Sequence, residues 1–193
     1  MTEFNDLASP IRMLETRRSG RPRDMVSPGP SEAELQRILA VAARVPDHGK
    51  IAPWRFLIIP VDRRDALNAL LDEAYLEEKP EAGRLEIEAN RHFAHQAPTL
   101  VIVLSKPDLS RSIPIEEQVA SAAAAAMQME NAATALGYVS GWITGWAAYS
   151  DAVRARLCKD GERITGFMFL GTAGEPLEER PRPVLDEVVR VWR

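Results

Sequence analysis

Cysteine is almost missing from this chain: Cys158 stands alone among 193 residues. No internal disulfide can form, and no Cys/His ligand spacing for zinc exists. Long hydrophobic runs are missing too, since none approaches the ~20 residues that cross a bilayer. The first residues are polar where a secretory signal would be charged and then apolar, so the chain reads as cytoplasmic with no membrane partner. Neither Gly-x-x-x-x-Gly-Lys-Ser/Thr nor Gly-x-Gly-x-x-Gly occurs, which removes support for triphosphate hydrolysis and Rossmann-type dinucleotide binding. No serine nucleophile elbow is visible, and His92 and His95 are wrongly spaced for a helical metal pair, leaving them as surface or lid histidines. A positive excess is also lacking. Lys and Arg total 24 against 28 Asp and Glu, a net charge of -4 that should repel nucleic acid.

What is present is apolar content sufficient for a core, 46% of a length that fits one domain over residues 1–193. Residues 6–17 read as a helix with Leu7, Ile11 and Leu14 on one face. A proline-stiffened loop follows. Ser31 to Glu34 matches a capping box for a helix over about 32–44. Phe56 to Val61 is a short apolar run read as a buried strand stopped by Pro60, and 63–78 reads as an amphipathic helix. Residues 77–96 are charged and weakly periodic, and read as a mobile excursion that could cover a site. Thr99 to Leu104 is a second buried strand. The Ala- and Met-rich stretch 115–136 reads as a long helix for a domain centre or subunit interface. Gly137 closes it, Val139 to Thr144 reads as a strand, Ser150 caps a short helix to about Leu157, and Ile164 to Leu170 is a last strand. Alternation of this kind makes an α/β or α+β domain. The tail from Pro176 holds Val188, Val189, Val191 and Trp192, which need a surface to lie on and make a dimer attractive.

Two basic segments carry the chemistry. Arg17-Arg18-Ser19-Gly20-Arg21 packs three guanidinium groups and a hydroxyl into five residues, a set suited to phosphate. An isolated arginine pair is most often a solvated turn. Here Arg180 and Arg182, held by alternating prolines, offer a second rigid pair, and the glycines around 140–145 let a backbone approach a flat ring. In Arg44-Val45-Pro46-Asp47-His48, Arg44 and His48 should be near neighbours, with an imidazole bonded to Asp47 as the plain alternative. Together the segments suggest an anionic, aromatic cofactor. Cys158 reads as a plain helix-end thiol, and the Ala/Met helix as core.

Taken in order, these pieces resemble the nitroreductase family: Arg-Arg-Ser-x-Arg, then Arg-x-Pro-Asp-His-x-x-x-x-Pro-Trp-Arg-Phe, the glycines from Gly137 to Gly145, Phe-Leu-Gly at 169–171, and Arg-Pro-Arg-Pro at 180–183. The resemblance is to the compact, single-domain flavoprotein subgroup and covers nearly the whole chain. It implies a three-layer α+β fold with a mainly antiparallel sheet, and a homodimer with an exchanged C-terminal segment and FMN at the interface. By the same resemblance, Arg17, Arg18 and Ser19 bind phosphate and ribityl, and Arg21 sits near the flavin N1–O2 edge. Arg44 and His48 come from the other subunit. Ile143, Thr144 and Gly145 run under the ring towards N5, and Arg182, with Arg180, closes on the phosphate. Larger relatives carry Asn where this chain has Lys50 and an acidic residue where it has Thr144, so substrate preference does not transfer. The implied activity takes hydride from NADH or NADPH and reduces a nitroaromatic, quinone or similar acceptor in a ping-pong cycle. The alternatives are a flavin sensor or storage protein, and a flavin-consuming or dehalogenating member of the same fold.

Overall fold

A computed structural model of the protein describes residues 4–193; the polar Thr2 and Glu3 lie outside them. Its architecture follows from two apolar strands. β3 (Thr99–Ser105) and β5 (Arg163–Ala173) pair antiparallel at the centre, and β2 (Trp54–Ile59) lies on the free edge of β3. β4 (Val139–Ile143) and the short β1 (Met25–Val26) share the other edge of β5, both antiparallel to it.

Side chains alternate across a strand, so each strand serves two cores at once. Leu100, Ile102 and Leu104 of β3 and Phe167 and Phe169 of β5 face one core. Leu67, Leu71 and Ala74 of helix α3 (Arg64–Glu78) and Val153 of α7 (Asp151–Leu157) close that side. Val101, Val103, Met168 and Leu170 face the other core, covered by Leu35 and Ile38 of α2 (Glu32–Ala42) and Ala126, Met129 and Ala133 of α5 (Ile115–Ala135). Burial on both faces is why these strands read as continuous apolar runs. The result is the three-layer α+β arrangement implied by the resemblance. The α/β alternative falls, because every strand pairing among the described residues is antiparallel.

Local signals fix the helix ends. The Ser31 hydroxyl accepts from the Glu34 N–H while the Glu34 carboxylate accepts from the Ser31 N–H, satisfying two donors that the first turn of α2 would otherwise leave open. At the end of α5, Tyr138 N donates to Ala133 O and Gly137 N to Thr134 O, the two bonds of a Schellman stop. Gly137 supplies the positive φ this needs, 87°.

Three expectations change. α1 runs only over Pro10–Thr16, because the Ser9 hydroxyl caps Arg12 N and Pro10 takes the first helical position. Its apolar face exists but nothing in the described residues covers it: Leu7, Ile11 and Leu14 are 52, 61 and 54% exposed. Residues 77–96 contain α4 (Arg84–Asn90) and a 3-10 turn (Phe93–His95) where weak periodicity gave no element. That segment is fastened by the buried Arg64, which donates to the carbonyls of Ile59, Ala94, Ala97 and Pro98, and by Asn68, bonded to Arg91 O and Ala94 N. Between β4 and α7 lies one more short helix, α6 (Gly145–Tyr149). The tail forms only α8 (Leu185–Val188), and Val188, Val189, Val191 and Trp192 remain exposed. No helix among the described residues is long and apolar enough to cross a membrane.

A bulge in β5 gives this sheet a testable weak point. The register with β3 shifts between Val103 and Leu104, and the extra residue, Thr165, accepts from the Trp142 indole at 3.0 Å. A Cβ on Gly166 would stand 2.0 Å from Trp142 Nε1. Gly166→Ala should therefore displace Trp142 and destabilise the fold by about 1–3 kcal/mol, as overpacking does. Urea unfolding is the check, and a midpoint equal to wild type would show that β4 yields without cost.

Candidate functional site

The first arginine cluster leaves α1 and lies along β4. Gly20 N donates to Ser140 O at 3.0 Å. Opposite it, a Cβ on Gly141 would come within 2.9 Å of Gly20 O, so the two backbones can meet this closely only because position 141 has no side chain. Asn5 holds the segment from below, accepting from Arg18 N at 2.8 Å. A cleft of about 460 Å³ opens beside this junction, lined by Arg18, Ser19, Arg21, Ile143, Thr144 and Arg180, among others.

The two ends of the chain thus reach one place. The tail passes over the cluster: Glu178 O accepts from Arg18 Nε at 2.6 Å, and the Glu178 carboxylate pairs with Arg21 at 2.8 Å. Arg180 lines the cleft. Arg182 does not, and pairs instead with Glu179 at 3.4 Å. The Glu179 carboxyl is held below its ordinary range first by the Arg180 N–H and then by the nearby Arg182 and Arg18. Arg17 does not line the cleft either; it turns inward, its Nη1 3.2 Å from Ser19 Oγ and 3.7 Å from the Glu130 carboxylate. Gly145 follows the lining residue Thr144 without itself lining the cleft; it is exposed with φ 56°, and a Cβ there would meet nothing within 4 Å.

Arg44 and His48 do not line this cleft. His48 Nδ1 lies 2.8 Å from Glu117 of α5, so its partner is Glu117 and not the neighbouring Asp47. Asp47 has another task. Its two carboxylate oxygens accept from the N–H groups of Ile51 and Ala52, at 3.0 and 2.9 Å. Those bonds hold a turn in which Gly49, Lys50 and Ala52 all have positive φ, a strain that persists only where neighbours fix it. Ser121 of α5 also donates to Pro46 O, so the His48 loop is anchored to the long helix.

The remaining titratable groups agree with their plainer readings. His95 bonds the exposed Asp65 at 2.8 Å. Burial pushes the Cys158 thiol up, reinforced by the Glu162 charge, which disfavours a reactive thiolate. No cluster of His, Cys, Asp and Glu fit to hold a metal occurs among the described residues.

The residue most informative here and not singled out from sequence is Glu130. It lines the cleft yet is only 4% exposed, on the helix read as plain core. A signal existed: Glu130 is the one charged residue between Glu117 and Asp151.

The nitroreductase family model matches residues 14–172, from the last turn of α1 to the penultimate residue of β5. The chain belongs to the nitroreductase family. One nitroreductase relative, "Putative NAD(P)H nitroreductase YdjA" of Escherichia coli K12, is 31% identical over 163 residues, which span 84% of this chain and 87% of that one. Among solved structures, a nitroreductase-like family protein from Bacillus cereus superposes with a TM-score of 0.78 at 21% identity, covering 100% of this chain and 98% of the other. A nitroreductase from Bacteroides fragilis, solved with bound FMN, gives a TM-score of 0.69 at 22% identity over 96% of this chain and 99% of its own.

Proposed function

We propose that this nitroreductase-family protein is an FMN-dependent oxidoreductase that uses NADH or NADPH to reduce a nitroaromatic, quinone or similar small acceptor. The observation that carries the reading is the meeting of Arg18, Ser19 and Arg21 from one end of the chain with Arg180 from the other, beside the strand end Ile143–Thr144. The donor set fits the cofactor. Guanidinium groups suit a phosphate, and the open backbone at Gly145 suits a flat ring. Bound flavin would supply the redox chemistry, taking hydride from the nicotinamide and delivering electrons to the acceptor in a second half-reaction.

The protein's own residues would bind and orient. Arg17, Arg18 and Arg180 grip the phosphate, Arg182 closing after release from Glu179. Ile143, Thr144 and Gly145 form the wall against the ring. Arg21, once released from Glu178, sets a positive charge at the ring's polar edge. Arg44 and His48, away from the cleft of their own chain, would serve the cleft of a second copy. The exposed apolar face of α1 and the uncovered tail support such a homodimer, since patches of this kind need a partner surface.

Freshly purified protein should show the absorption bands of oxidised flavin, and these should bleach on anaerobic mixing with NADH or NADPH and return on adding a quinone. A colourless protein that takes up no FMN would refute the proposal. Flavin that binds but is not bleached would support the storage reading. Arg21→Ala should retain FMN while lowering its reduction potential and slowing bleaching, because the cation favours the more electron-rich state. Spectroelectrochemical titration gives the potential, and an unchanged value would remove that role.

A further inference from the structure

We infer that Glu130 is a positioning residue of the phosphate grip, setting the direction of Arg17. This rests on the flavin reading above. Glu130 Oε1 accepts from Ser19 Oγ and from Ser140 Oγ, both at 3.2 Å, while Oε2 lies 3.7 Å from Arg17 Nη1. Arg17 Nη1 in turn donates to Ser19 Oγ at 3.2 Å. The buried carboxylate, the Ser19 hydroxyl and the Arg17 guanidinium thus form one closed set of contacts.

The location of the charge supports the same role. A carboxylate with 5% of its side chain exposed is costly to bury unless it is paired and hydrogen-bonded. Glu130 meets that cost with two hydroxyl donors and one cation, and the cation is the first arginine of the cluster. Arg17 is itself only 17% exposed, held inward in a direction a free surface arginine would not adopt. Glu130 thereby connects α5, β4 and the arginine segment at one point, and the orientation of Arg17 depends on it.

The isosteric Glu130→Gln separates positioning from scaffolding. Gln keeps the shape and can still hydrogen-bond Ser19 and Ser140, but it removes the negative charge that holds Arg17 inward. The full chain, stripped of flavin, would be titrated with FMN and with riboflavin, following flavin fluorescence. Relative to wild type, Glu130→Gln should weaken FMN about tenfold, the scale of one charge-assisted contact, and leave riboflavin unchanged. Ser140→Ala gives an independent arm should Glu130→Gln fold poorly. Ser140 is buried and does not line the cleft, so a selective loss of FMN affinity there passes through Glu130.

A loss equal for both flavins, no loss for either, or a rise in FMN affinity would overturn the inference. A wild-type chain that binds neither flavin would defeat the functional reading as well. A wild type that prefers FMN, with variants that keep that preference, defeats only the role of Glu130.

Discussion

Arg55→Met should destabilise the fold by about 3–5 kcal/mol at neutral pH, the cost typical of leaving one partner of a buried ion pair behind. Arg55 of β2 holds Glu162 in a two-pronged grip, Nε to Oε1 at 2.9 Å and Nη2 to Oε2 at 2.6 Å. The Glu162 side chain is 1% exposed, so water cannot replace the lost guanidinium. Its second lone-pair partner, the Lys159 N–H at 2.8 Å, remains but carries no full charge. The Arg55 bond, aided by that N–H, holds the Glu162 carboxyl below its ordinary 4.5 despite burial. In wild type this contribution is complete above about that value and is lost as the pH falls through the depressed folded value. In the variant the sign reverses. Burial without a cation raises the carboxyl, so acid relieves the defect. Urea unfolding at pH 7 and pH 4 should show the gap between the two proteins narrowing in acid, and the paired change Arg55→Met with Glu162→Leu should recover most of the loss. A gap below about 1 kcal/mol at pH 7, the scale of a surface pair, would mean the bridge is effectively solvated.

Arg17→Ala should weaken FMN tenfold to a hundredfold, the loss of about 1.5–3 kcal/mol for a charge-assisted contact. The geometry adds a consequence beyond affinity. Arg17 is the one cation recorded within ion-pair distance of Glu130 among the described residues, so its removal also strands a buried carboxylate. The apoprotein should melt earlier than wild type, and Arg17→Lys should recover part of the stability while recovering less of the FMN affinity, since an ammonium keeps the charge but not the fork. Dialysis against buffer followed by flavin absorbance reads the first effect, and thermal unfolding the second. Arg17→Ala protein that stays fully yellow through dialysis would exclude Arg17 from the phosphate grip.

Much of the fold was legible because its signals are local. The capping box at Ser31, the stop at Gly137 and the apolar runs at 99–104 and 164–170 each depend on residues a few positions apart, and the structure has them where periodicity put them. α4 lies on a charged surface, so no apolar stripe marks it in the sequence. Leu7 continues the spacing of Ile11 and Leu14 and points to an earlier start for α1 than the boundary that Ser9 and Pro10 set. The site was legible in its arginines and glycines, whose chemistry shows in the sequence itself. It was not legible in Glu130, Glu117 or Glu178, each of which matters through a partner far away in the chain.

By itself the sequence determined the helix and strand periods, the lack of disulfide or zinc scaffolding, and a set of arginines suited to phosphate, because these follow from residue type and short spacing. Only the tertiary structure decided that Arg17 faces a buried carboxylate, that His48 answers to Glu117, and that Arg180 rather than Arg182 reaches the cleft. Such pairings span up to 160 residues and depend on which faces the sheet brings together. A charge in a sequence carries no direction until packing gives it a neighbour.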